Sequence, residues 1–114
     1  MPLIQIRTNV SLSEEATASL LKEATTITAR ELGKPESIMM ATASTGAAML
    51  FGGTDGATAL FEIEGIELSP DPAGALCEAL SDLAEAHLKA PADRVFVKLT
   101  NVPRGQWAGN RKVY

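Results

Sequence analysis

Sulfur and imidazole are scarce in this chain, which has one cysteine and one histidine. A single cysteine excludes an intrachain disulfide framework, and with one histidine it cannot complete a structural zinc site. Long apolar runs are missing as well. The stretch from Gly46 to Gly53 is far too short to span a bilayer. Met1-Pro2-Leu3-Ile4-Gln5-Ile6-Arg7 has no basic leader followed by an apolar core, so no secretory signal is expected. Basic residues are in deficit: 10 Lys and Arg against 14 Asp and Glu give a net charge of −4 and a sequence pI near 4.9. That balance argues against a nucleic-acid binder held by phosphate contacts, and no membrane partner is expected. What remains, 46% hydrophobic and 21% charged residues, is the composition of a globular protein. At 114 residues one domain spanning 1–114 is expected. Folding at this size buries only about two-thirds of the chain's surface, so a cytoplasmic oligomer is the expectation.

Charge is unevenly placed. After Asp93 there is no acidic residue, while Arg94, Lys98, Arg104, Arg111 and Lys112 follow, leaving −9 on the first 93 residues. The basic segment reads either as a solvated tail or as one that docks on an acidic neighbour or an anionic ligand. Pro2 to Thr8 has the pattern of a half-buried strand. Ser11-Leu12-Ser13-Glu14 fits a capping box with Ser11 as the cap. Ala16, Leu20, Ala24 and Ile27 then recur at helical spacing up to the stop at Gly33 and Pro35. Ile38 to Ala43 reads as a buried strand, and Gly52-Gly53-Thr54-Asp55-Gly56 reads as a turn, since it lacks the ending of a phosphate loop. A strand near Thr58 to Glu64 follows. A second helix begins at Asp71-Pro72, with Leu76, Cys77, Leu80, Leu83, Ala84, His87 and Leu88 on its core-facing stripe. Val95 to Leu99 is the last clear strand.

Strand–helix–strand thus occurs twice, in halves of about 1–56 and 57–114. Leu32-Gly33-Lys34-Pro35 and Leu88-Lys89-Ala90-Pro91 close the two helices, their prolines 56 residues apart. The predicted fold is α+β: two right-handed βαβ units forming a four-stranded sheet with both helices on one face. The opposite face is left bare, and self-association is the simplest cover.

Few residues suggest chemistry. Pro2 after the initiator methionine is, at its plainest, a stiff chain start. Removal of Met1 changes its meaning, because the chain then begins with a secondary amine. An α-amino group titrates at about 7.7–8.0 unperturbed, and burial or a nearby cation lowers that value. A neutral amine suits proton abstraction next to a carbonyl. Lys34 either meets the negative end of the helix dipole or, near that amine, holds a carboxylate or a developing enolate. Cys77 and His87 read as packed core residues. Trp107 is either a core or interface anchor or the floor of an aromatic pocket.

In order and spacing, Met1-Pro2-Leu3-Ile4, Thr8-Asn9-Val10, Leu32-Gly33-Lys34-Pro35, Phe51-Gly52-Gly53, Gly65-Ile66 and Pro91-Ala92-Asp93-Arg94-Val95 resemble the macrophage migration inhibitory factor family of the tautomerase superfamily. The resemblance covers essentially the whole chain. It implies a homotrimer of βαβ-βαβ subunits around a central channel, with an active site at each interface. It implies phenylpyruvate-type keto–enol tautomerism, with dopachrome-type activity as a companion and no cofactor. Pro2 matches the family's catalytic proline, Lys34 its substrate-anion lysine, and Ile66 a pocket residue, while Leu3 and Trp107 add apolar wall.

Three departures stand out. Mammalian members have Tyr where this chain has Phe96 and Asn where it has Lys98, both reaching in from the adjacent subunit. Phe96 keeps the ring but loses a hydroxyl donor, and Lys98 adds a cation that would bind a carboxylate more strongly. The mammalian Cys-x-x-Cys is replaced by Thr58 and Phe61, so thiol–disulfide activity resting on that motif is not available. The resemblance also allows a rival, a cytokine-like trimer that binds a protein receptor, with a vestigial pocket and a leaderless route of secretion. A second rival is a superfamily dehalogenase or decarboxylase, which needs extra arginines and a water-activating acid around the proline. No carboxylate for that role can be placed from sequence.

Overall fold

A computed structural model describes residues 2–114, so Met1, whose removal the sequence reading invokes, lies outside the described residues. Four strands form one mixed sheet in the order β2-β1-β3-β4. They are β1 (Leu3–Thr8), β2 (Met40–Ser44), β3 (Ala59–Ile66) and β4 (Val95–Val102). β1 and β2 run parallel, β1 and β3 antiparallel, and β3 and β4 parallel. Helix α1 (Glu14–Leu32) links the first parallel pair and α2 (Ala73–Leu88) the second. The α+β architecture read from the sequence is therefore present.

The core lies between helices and sheet. Alternation puts Ile4, Ile6, Phe61 and Ile63 on one sheet face, and Leu20, Ala24, Leu76, Leu80, Ala84 and Leu88 close over them. Ile4, Phe61, Ile63, Leu20, Leu76 and Leu80 are completely buried, each worth about 1.5–3 kcal/mol relative to exposure. The other face presents the cross-strand rows Arg7–Leu60–Phe96, Gln5–Glu62–Lys98 and Leu3–Glu64–Thr100. It is a mixed, partly open surface rather than an apolar one.

Several sequence expectations shift. Ser13, not Ser11, caps α1: its Oγ accepts from the Ala16 amide at 3.1 Å. The residue three beyond this cap is Ala16, so the reciprocal Glu of a capping box is absent from that position. Residues 36–38 form a short 3-10 turn, so β2 begins at Met40, and its alternating exposure is that of an edge strand rather than a buried one. Cys77 is exposed. His87 leaves the core stripe to pair its Nε2 with Glu23 Oε2 of α1. Both lie on the flank of α2, which the three- and four-residue spacing alone does not separate from its inner face. A small hairpin, β5 (Ala108–Gly109) with β6 (Lys112–Val113), forms within the basic segment, turning through Asn110 and Arg111 at positive φ.

Among the described residues no helix is long and apolar enough to cross a membrane. Nor is any group of three or more His, Cys, Asp or Glu placed to hold a metal ion.

Candidate functional site

The site is built where α1 ends. Gly33 adopts the left-handed conformation at φ 64°. Its amide bonds Arg30 O at 3.3 Å, and the Lys34 amide bonds Ala29 O at 3.0 Å. This paired closure stops the helix and sends Lys34 out over the sheet's end. β1 begins alongside. Leu3 pairs with Glu64 on β3, and continuing that register sets Pro2 opposite Gly65, one step from Ile66. Pro2 is buried, and its carbonyl accepts from the Met40 amide at 3.2 Å.

Two adjoining hollows open here, and Lys34, Ile66 and Glu67 line both. One, of about 270 Å³, runs from Leu32 towards Leu68 and Pro72. The other, of about 210 Å³, is completed by Arg104 and Tyr114. Glu67 turns the chain out of β3 at φ 53°, a region that favours glycine, and the Leu68 amide beyond it is fixed by Asn101 Oδ1 at 2.7 Å. Arg104 follows β4, and Tyr114 returns beside it because the Gly105 amide bonds Tyr114 O at 2.6 Å. Arg104 Nε donates to Glu67 Oε1 at 2.5 Å. That hydrogen bond, then the guanidinium's charge, hold the Glu67 carboxyl below the usual carboxylate range, with Lys34 adding to the effect. The same hydrogen bond and the Glu67 charge raise Arg104.

Of the residues singled out from sequence, Lys34 and Ile66 line the same two hollows, whereas Pro2 lines neither and is related to them through the register that sets it opposite Gly65. Leu3 is adjacent to Pro2 but half-buried on the other sheet face, in the row with Glu64. Phe96 and Lys98 lie along β4 away from the cleft. Phe96 is six residues before Val102, the partner of Ile66, hence about 20 Å along the strand. Its ring, 63% exposed, sits 5.0 Å from that of Phe51, and Lys98 Nζ is 3.8 Å from Glu62 Oε2. Trp107 is half-buried, its carbonyl accepting from the Tyr114 amide at 2.8 Å, and is not among the residues lining either hollow.

Sequence reasoning missed Glu67, Arg104 and Tyr114. Glu67 directly follows the Gly65-Ile66 pair, which was the available pointer. Nothing local relates Arg104 to it across 37 residues. A larger hollow of about 480 Å³, between Asn9, Asp55 and residues 47–50, holds none of the sequence-derived candidates.

The arrangement suits binding a small acid: two cations, Lys34 and Arg104, beside an apolar Ile66 wall. It suits water activation by a carboxylate poorly, because Glu67, held ionised by Arg104, is a weak base.

A family model described as macrophage migration inhibitory factor matches residues 1–113. A macrophage migration inhibitory factor homolog of Brugia malayi is 30% identical over 115 residues, covering 100% of this chain and 99% of its own. A homologue from Prochlorococcus marinus superposes with a TM-score of 0.88 at 30% identity, covering 97% of both chains. The Toxoplasma gondii macrophage migration inhibitory factor gives 0.87 at 28% identity, over 98% of this chain and 99% of that one.

Proposed function

The chain belongs to the macrophage migration inhibitory factor family, and on that premise we propose that it is a keto–enol tautomerase of aryl 2-oxo acids whose base is the nitrogen of Pro2, freed by removal of Met1. The observation that carries the proposal is the burial of Pro2 within a register step of Ile66, which shares a cleft with Lys34. In a buried place, a terminal secondary amine favours its neutral form and is basic near pH 7. The amine takes a proton from the substrate's Cβ and returns it on the enol oxygen side, or the reverse. Lys34 holds the carboxylate or the charge developing on the enolate, and Ile66 packs against the ring. The reaction needs no cofactor.

A homotrimer is part of the proposal. Phe96 and Lys98 stand well away from the cleft of their own chain, so they reach a site only if an adjacent copy supplies them. Phe96, without a hydroxyl, would then contribute ring packing, and Lys98 a second cation.

Pro2→Gly in Met1-free protein is expected to lower kcat/KM for ketonisation of enol-phenylpyruvate by about 10²–10⁴-fold, the scale of a general base. Unchanged turnover would remove Pro2 from that role. Intact mass identifies the N-terminus of the sample. The cytokine-like reading predicts instead negligible turnover in Met1-free wild type together with specific capture by a receptor.

A further inference from the structure

We propose that Lys34 and Arg104 together form the seat for the substrate's carboxylate, and that Glu67 is its built-in, displaceable occupant. This deepens the tautomerase reading and rests on it. Three observations meet at one place. The Glu67 carboxylate is hydrogen-bonded by Arg104 Nε, and all three charged residues line the same hollow of about 210 Å³. Lys34 lines the same hollow, so a carboxylate bonded by Arg104 there has a second cation in its cleft. Finally, Glu67 is carried there by a left-handed backbone that a residue with a side chain rarely adopts, and such positions concentrate at ligand sites.

The exchange is chemically even-handed. Arg104 and Glu67 are about two-thirds exposed, at 66% and 65%, so the ion pair is screened by water and holds its partner weakly. A guanidinium presents a planar fork to any carboxylate, and trading Glu67 for the acid group of a 2-oxo acid keeps that geometry. Ile66 and Tyr114 supply the apolar flank that an aryl group would cover, which a glutamate does not use. The seat therefore selects acids over neutral ketones, and Glu67 sets how tightly by competing for the same donors. Lys34 alone, the residue legible in the sequence, is half of the device.

Equilibrium binding of phenylpyruvate tests this without net turnover, in Met1-free protein by calorimetry or NMR titration, with 1-phenylpropan-2-one as the uncharged control. Glu67→Gln is expected to lower the Kd for phenylpyruvate roughly threefold to tenfold, and Arg104→Gln to raise it by a similar factor. The gain from Glu67→Gln should shrink in the Arg104→Gln background, and the uncharged ketone should respond to neither change. The proposal is overturned by any of four results: Glu67→Gln leaves the Kd unchanged or raises it, the neutral ketone responds equally, the gain persists in full without Arg104, or neither wild type nor Glu67→Gln binds phenylpyruvate. If this pattern holds while Pro2→Gly turns over normally, the assigned base is wrong and the seat stands. If Pro2→Gly is inactive and the pattern fails, the base stands and the seat does not.

Discussion

Each end of the sheet holds an arginine from the second half of the chain, and the two are spent in opposite ways. Arg94, at the start of β4, donates to the carbonyls of Phe51, Thr54, Gly56 and Ala57 and to Thr54 Oγ1, at 2.8–3.1 Å. Its guanidinium also lies 5.5 Å from the centre of the Phe51 ring. Arg104, beyond the other end of β4, donates to a single exposed carboxylate. One guanidinium is consumed in holding a loop. The other is bound to a partner that water screens and a ligand could replace. Equal charge therefore carries different meaning, and the number and kind of acceptors around each group distinguish an arginine whose donors are all engaged from one that engages a single exposed carboxylate.

That contrast can be broken by experiment, most strongly at Arg94. Arg94→Met removes five hydrogen bonds from a charged donor and strands the Ala57 carbonyl, while Phe51 O, Thr54 O and Gly56 O keep donors from Thr54, Phe51 and Asn9, so a loss of about 2–3 kcal/mol is expected from the urea midpoint. A loss no larger than that of Arg104→Gln would erase the distinction. Asn9 supports the same end: Nδ2 donates to Asp55 O and Gly56 O, and Oδ1 accepts from the Thr58 amide. Asn9→Ala is expected to cost about 1–2 kcal/mol in the same measurement. The smallest effect belongs to the cleft end. Glu67 has a depressed carboxyl pKa when folded, so its contribution is present above the unfolded value of 4.5 and is lost as pH falls through the lower folded value. Glu67→Gln should therefore be nearly indistinguishable from wild type in stability at pH 7. Any small deficit should close on acidification below about pH 4.5. A deficit that grows with acidity would contradict the ion pair's direction.

Legibility in the sequence followed the range of the interaction. The stop of α1 was readable because Gly33 and Pro35 are adjacent in the chain, and the buried stripe of α2 was readable because Leu76, Leu80 and Leu88 repeat with the helix. Strand β1 was visible in its alternation. The choice between Ser11 and Ser13 as cap was not, since either serine can accept from an amide and only the packed entry of the chain decides. Cys77 and His87 were misplaced for a related reason: their spacing puts them near the stripe, but Cys77 is exposed and His87 meets Glu23 of α1. Of the residues lining the cleft, Lys34 could be singled out from local chemistry. The Glu67–Arg104 pair could not, because a small hairpin and the end of β4 must both form before the two side chains meet. The segment holding Arg104 read as a basic tail open to two interpretations, whereas the fold divides it among different duties.

Arg94 grips its loop through four main-chain oxygens, and only at Phe51 and Thr54 does it also meet a side chain. Gly52 and Gly53, at φ 59° and 80°, must keep their conformational freedom for the reversal between Phe51 and Thr54. Asp55 and Gly56 supply carbonyls to Arg94 or Asn9, and any residue has one. Asp55 is accordingly the position in this stretch where a new side chain can be installed with the local shape retained, since Phe51 and Thr54 meet Arg94 through their side chains and a Cβ at Gly56 would lie 3.4 Å from it.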